Sequence, residues 1–463
     1  MPADATKIFQ DALAHYQAGR RAEAEAACGR VLTIAPRHFD ALHLLGVLAY
    51  QARDVKRAAE VLAKALAIRQ DNANACHTYG SALWAMGQPE AGLFHLDRAI
   101  ALKPDFADAY NNRGNALRDM GGYQDALRSF EMAVALNPNL ADAHWHLAIC
   151  HLQMGNFAKG WEKYEWRWRL PDKPRRAFPR PQWQGEMLDG KTILLHDEQG
   201  FGDTIQFCRY APLLAERGAK VILGVQKPLV SLLSSLAGVS HIAGWGDAIP
   251  AFDFHVPLLG LPRLFKTDAA TIPAVPRYLT APPDKRTAWT EVLGPKTKPR
   301  IGLAWSGSVL EVDLLKRSIP LATLAKIISP DFEYISLQKE LKESDRAVLS
   351  SIPAIRHFGD ELKDFSDTAA LCELVDVVIT IDTSIAHLAG ALGRPVWVVL
   401  PYNADWRWLL ERDDSPWYPS ARLFRQSAPG DWDGLMNIVN GALQVNKAGG
   451  SFLPPAIAEV MPR

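Results

Sequence analysis

The sequence predicts an all-helical repeat array at its N-terminal end, followed by an α/β region with two parallel-sheet halves. Three observations carry this reading. Small residues recur every 34 positions over the first third, short apolar runs alternate with helical stretches from Lys191, and a proline-rich stretch separates that series from a second one starting at Arg300. A chain of 463 residues is too long for one ordinary domain, and 48% hydrophobic with 22% charged residues suits several packed cores.

Composition also excludes some functions. Lys+Arg and Asp+Glu each total 51, so no net field draws the chain to nucleic acid or an acidic membrane. The opening MPADATKIFQDALAHYQAGR lacks the apolar core of an export signal, and no stretch of about 18 apolar residues follows, so no membrane span is expected and the expected location is cytoplasmic. The five cysteines (Cys28, Cys76, Cys150, Cys208, Cys372) are far apart with no CxxC pair, which points to buried apolar residues and not to disulfides or a metal site.

Within the first third, Gly19, Arg53, Gly87, Gly121 and Gly155 keep a 34-residue step, as do Gly46, Gly80, Gly114 and Ala148. The first set ends each leading helix where φ > 0 is needed, small residues let paired helices approach, and Pro36, Gln70, Pro104 and Pro138 close the units. The pattern resembles the tetratricopeptide repeat, with units at about 5–38, 39–72, 73–106 and 107–140 and a fifth running into WEKYEWRWRL, so that 1–170 is one solenoid with a capping helix. Such arrays bind a protein or peptide on an inner helical face, for which Asn111, Asn115 and Arg118 are the candidates. Residues 171–190, LPDKPRRAFPRPQW and its continuation, read as a proline-rich linker.

From 191 to 290 the runs KTILLHDE and AKVILGVQ read as strands, each followed by a helix. From 291 to 445 the strands are RIGLAWSG, FEYISLQ, DVVITID and PVWVVLP, and 446–463 is a tail. Two Rossmann-like halves place a ligand in the cleft at their strand ends.

Three stretches carry chemistry. HDEQGFGDTIQF has Gly200 and Gly202 between strand and helix, but Ile205 stands where a dinucleotide fingerprint needs its third glycine. Asp203 also occupies the helix start, where a pyrophosphate would be repelled. Asp203 is therefore either a helix cap or a general base. DVVITID runs into Thr383 and Ser384, a helix N-terminus with two hydroxyls suited to phosphate, and His387 lies one turn on, where it can face the same ligand. Ser306 opens the loop after another strand, and Lys316 and Arg317 could neutralise a leaving diphosphate.

Gly202-Asp203, Lys316-Arg317 before Pro320, and Asp382-Thr383 with His387-Leu388-Ala389 together resemble glycosyltransferases of the GT-B fold, in particular the heptosyltransferase-like family. Bacterial proteins that fuse tetratricopeptide repeats to such a domain are more similar still, through EQGFGDTIQFCRYAPLL, DTSIAHLAGALGRPVWVVLP and DWRWLLERDDSPWYPSARLFRQ. The resemblance implies inverting, metal-independent transfer from a nucleotide-sugar donor, with no cofactor. It makes Asp203 the base, gives the diphosphate to Ser306, Lys316, Arg317, Thr383 and Ser384, and sets Asp382 and His387 against the sugar or phosphate. The acceptor it implies is a protein selected by the repeats, flagellin or another surface protein. The alternatives are a lipopolysaccharide or surface-polysaccharide precursor as acceptor, and a non-catalytic scaffold. The usual Gly after Asp-Thr is Ser384 here, and the first half is short.

Overall fold

The computed structural model describes residues 3–171, 175–307, 317–447 and 451–454. The chain forms two compact units, Met1–His151 with Glu162–Pro174, and Leu152–Trp161 with Arg175–Arg463.

The first unit is built from antiparallel helix pairs: α1 (Ala3–Gln17) with α2 (Arg21–Ile34), α3 (Phe39–Gln51) with α4 (Val55–Ile68), α5 (Ala73–Ala85) with α6 (Pro89–Leu102), and α7 (Ala107–Asp119) with α8 (Tyr123–Leu136). Helices α9 (Ala141–Gln153) and α10 (Phe157–Tyr164) run across the division in sequence. The pairs are close because three repeat-equivalent positions lack a side chain. A Cβ on Gly46 would stand 2.5 Å from Leu62 Cγ, one on Gly114 2.5 Å from Phe130 Cε1, and one on Gly80 2.8 Å from the Gly92 backbone oxygen. The turns between paired helices use the left-handed region, with φ of 73°, 78°, 82° and 76° at Gly19, Gly87, Gly121 and Gly155. Arg53 adopts the same conformation at φ 62° and carries a side chain there. The fifth unit ends in aromatic packing, with Trp166 stacked on His144 at 3.6 Å between ring centroids and Trp145 against Tyr164 at 4.9 Å.

The second unit holds two parallel sheets. In the first, β1 (Thr192–His196), β2 (Lys220–Val225), β3 (Val239–Gly244) and β4 (Phe254–Pro257) lie in the order β3-β2-β1-β4. In the second, β5 (Arg300–Ala304), β6 (Glu333–Ser336), β7 (Ile355–His357), β8 (Val377–Ile381), β9 (Val396–Leu400) and β10 (Ala421–Arg425) lie in the order β10-β9-β8-β5-β6-β7. Renumbered from its own first strand, that is the doubly wound order 3-2-1-4-5-6. β5, β8 and β9 are buried throughout because helices cover both faces, which is why they read as unbroken apolar runs. Leu435, Met436, Val439 and Leu443 of the helix Trp432–Lys447 pack onto this sheet beside Trp397 and Val399.

Two expected boundaries move. The stretch read as a linker belongs to the second unit from Arg175 onward: Trp183 is buried and donates to the His255 carbonyl at 2.8 Å, while the His255 amide donates to Pro181 at 3.1 Å. Proline prevents helix there but not an extended segment lying beside β4. The tail read from 446 onward is also partly built in, since the last helix runs to Lys447 and the Phe452 carbonyl accepts from Trp397 Nε1 at 3.0 Å.

Opposite signs are expected at two repeat positions. Arg53→Gly relieves left-handed strain and raises stability by about 0.5–1 kcal/mol, whereas Gly80→Ala meets unyielding backbone and costs about 1–3 kcal/mol despite its better helix propensity. The midpoint of urea unfolding of the whole chain, followed by circular dichroism, reads both.

Candidate active site

Ligands of open parallel sheets bind beyond the strand C-termini where strand order reverses. Those places are β1 with β4 in the first sheet and β5 with β8 in the second. Beyond β1 the chain passes through Asp197 and Gly200 into the helix Phe201–Phe207; beyond β8 it passes through Asp382 and Thr383 into the helix Ser384–Ala391.

These two helices meet. A Cβ on Gly202 would stand 2.7 Å from His387 Cδ2 and 3.3 Å from the Ser384 Cα, so only glycine allows the approach. The His387 ring fills this seam. It shares a hydrogen bond of 2.9 Å with the Tyr418 hydroxyl through Nδ1 and stacks on Trp408 at 5.6 Å. Burial, with Arg407 nearby, holds it down at about 3, so it stays neutral at ordinary pH. The spacing from Ser384 suggests a ligand-facing ring; the structure instead turns it into the seam, because His387 is on the side of its helix that meets Gly202.

Asp203 is the third residue of its helix and not the cap itself. Its Oδ2 reaches back to accept from the Gly200 amide at 2.9 Å, and its Oδ1 pairs with Arg407 Nη2. Arg407 also donates to Gln206 Oε1 and to Asp405 Oδ1, each at 2.8 Å. Arg317 bonds Asp382 Oδ2 at 2.9 Å and lies 3.8 Å from Asp405 Oδ2. The result is an alternating chain, Asp203, Arg407, Asp405, Arg317, Asp382, running from the end of the first sheet to the end of the second. Burial raises the Asp382 carboxyl although Arg317 opposes this. Burial also acts against the Asp405 anion, but Arg407 and Arg317 together outweigh it and hold that carboxyl below its usual range. Nearby, Arg209 is buried on the carbonyls of Gln206 and Trp417, both at 2.7 Å, and on the Tyr278 hydroxyl at 3.0 Å.

Of the residues expected to hold a diphosphate, Thr383 is extended and caps its helix without using its side chain on it, and Thr383 and Ser384 are both partly exposed. Arg317 pairs with Asp382 at 2.9 Å, so the carboxylate just before this helix start is itself ion-paired. Ser306 is buried, its amide donating to Gln338 Oε1 at 3.2 Å and its hydroxyl accepting from Gln338 Nε2 at 3.0 Å. Lys316 lies outside the described residues.

The residues expected to hold an acceptor are engaged within the repeats. Asn111 Oδ1 and Asn115 Nδ2 meet His146 Nδ1 of the following repeat at 2.8 and 3.3 Å, and Arg118 lies 3.8 Å from Asp119. The 34-residue step brings His146 beside them, so both asparagines are buried staples between α7 and α9 and not open surface. Arg209 lies in EQGFGDTIQFCRYAPLL, and Asp405 and Arg407 lie in DWRW, stretches that carry the resemblance, but the spacing alone gives none of the three a role. The five cysteines are free and buried.

Residues 15–78, 73–106 and 107–140 match models of the tetratricopeptide repeat, so the N-terminal helices are tetratricopeptide repeats. The chain is 28% identical to protein FlbA of Caulobacter vibrioides over 329 residues, 64% of this chain and 54% of FlbA. It thus spans about half the length of that relative. Solved structures that resemble it include MamA, at 24% identity over 34% of this chain and 91% of MamA, TM-score 0.31. Another is YrrB, a TPR protein with an unusual peptide-binding site, at 22% identity over 36% of this chain and 86% of YrrB, TM-score 0.31.

Neutral buried histidines give stability a pH dependence. His387 and His146 sit at about 3 and His77 at about 4 in the fold, each lowered mainly by burial. Below about 6.5 the unfolded chain takes up protons that the folded chain refuses, so stability falls as pH drops from about 6.5 toward 4, by up to about 1.4 kcal/mol per pH unit for each proton. Melting temperatures across that range should show the slope, and His387→Asn should flatten it.

Proposed function

We propose that the α/β unit is a GT-B-type glycosyltransferase that moves a sugar from a nucleotide-activated donor to a protein acceptor selected by the repeats. The observation that carries the reading is the pairing of two sites across one seam. A partly exposed carboxylate, Asp203, stands at the strand ends of the first sheet, and a helix N-terminus with Thr383 and Ser384 stands at the reversal point of the second. Phosphate suits the second place, since amide N–H groups and hydroxyls converge there and Arg317 offsets Asp382. A donor bound there directs its sugar toward Asp203.

Asp203 then takes the proton from the acceptor hydroxyl or amide as that group attacks the anomeric carbon. The diphosphate leaves from the opposite face, and the configuration inverts. Lys316 and Arg317 are assigned to the leaving diphosphate, and charge neutralisation by these side chains and the helix end makes the transfer independent of divalent metal. In this reading Asn111 and Asn115 support the acceptor surface by fixing the repeats to one another, and the acceptor is a surface protein such as flagellin.

Asp203→Asn keeps the shape and an oxygen for the Gly200 amide, but gives up the ion pair with Arg407 and cannot accept the proton. Its kcat should fall by about two to four decades with donor Kd little changed. Near-normal turnover with only a lowered melting temperature would leave Asp203 as a cap. Transfer should persist in excess EDTA; activity abolished by EDTA and restored by Mn²⁺ would remove the metal-independent mechanism.

A further inference from the structure

We infer that Arg407 is the positioning residue for the base: it fixes the Asp203 carboxylate in the one orientation that presents its free lone pairs to the acceptor. The inference rests on the transferase reading and gives a role to Arg407 of the DWRW stretch, to which that reading assigns none.

Arg407 is 8% exposed, and its guanidinium is fixed on three sides. Nη2 holds Asp203 Oδ1, Nη1 holds Asp405 Oδ1 at 2.8 Å, and Nε holds Gln206 Oε1 at 2.8 Å. The Trp406 ring lies 4.2 Å from its central carbon. Asp203 and Gln206 are three apart on one helix and so share a face, and the planar fork of arginine spans both. A lysine ammonium, a point charge on a flexible stem, can satisfy one of them at a time.

The carboxylate is therefore held from both ends, by the Gly200 amide on Oδ2 and by Arg407 on Oδ1. A carboxylate offers about four acceptor sites, so each oxygen keeps one lone pair for a proton while rotation about χ2 is blocked. Asp405 aligns the guanidinium twice, through Oδ1 to Nη1 and to the Arg407 amide at 3.1 Å.

The test is a double-mutant cycle on the full chain. Arg407→Gln should lower kcat by about 10–100-fold with donor KM changed by less than about threefold, and in the Asp203→Asn background the same change should cost less than about threefold, because the group it orients is gone. Arg407→Lys should fall between wild type and Arg407→Gln, and it carries the comparison in both backgrounds if the glutamine variant does not fold. Equal losses in the two backgrounds, following the loss of melting temperature, would make Arg407 a structural tie and overturn the inference while leaving the transferase reading in place. A wild-type chain that transfers no sugar from any nucleotide donor would overturn both.

Discussion

A side chain at position 202 has nowhere to go, and the arrangement of the α/β unit follows from that. The backbone there lies against the His387 ring, so the helix after β1 and the helix after β8 touch over their first turns. Strand-end crevices in two separate sheets are thereby brought to one place, each with a helix N-terminus directed at it. The seam is then filled by side chains that allow little play. His387 is held by Tyr418 and Trp408, and Tyr418 in turn neighbours Tyr278 and the guanidinium of Arg209. An alanine at 202 would push against a ring stacked on Trp408 and hydrogen-bonded to Tyr418, so the two helices could not keep this approach.

Charge imposes the second constraint. Asp203, Asp382 and Asp405 are all sequestered to some degree, and buried carboxylates are costly unless paired. Arg407 and Arg317 answer them pairwise, which leaves one negative charge over; Arg209, which contacts no carboxylate among the described residues, brings the neighbourhood to three against three. Hydrophobic residues of similar size would often be as stable or more so. The expense is intelligible where charge must change during a reaction. In the proposed transfer, a carboxylate that gains a proton and a diphosphate that departs would both alter local charge, and the connected arginines lie where they could offset it.

How much was legible in the sequence follows from how each element is buried. The strands recognised beforehand, β1, β2, β5, β6, β8 and β9, are interior strands with apolar runs. The four that escaped, β3, β4, β7 and β10, are the edges of the two sheets. An edge strand is wet on one side and can be short, as β7 is at three residues, so it has no run to find. The repeats were legible because Gly46, Gly80 and Gly114 answer one steric demand at a fixed period. Of the candidate site residues, Asp203 and Thr383 with Ser384 stand out in the sequence because each sits at a strand-to-helix junction, and the structure places them there. Arg407 does not stand out, because Asp203 and Gln206, the partners that bring it there, are about 200 residues away in sequence and no local pattern encodes that distance. The same limit misjudged Asn111 and Asn115: one helix face looks free until the next repeat supplies His146.

The reach of Asp203 back to the Gly200 amide is compatible with the base role proposed for it. A carboxylate at the third helical position is drawn back to the cap amide, which removes the freedom it would otherwise have about its own bonds. The bond to the cap amide takes one acceptor site of about four. A base must be oriented and partly unsatisfied when the acceptor arrives, and this helix-start position provides the first without consuming the second. Arg407 extends the arrangement from the other sheet, so the orientation of the carboxylate depends on the approach that Gly202 permits. Local helix chemistry thus supplies the group, and the long-range packing of two sheets decides where it points.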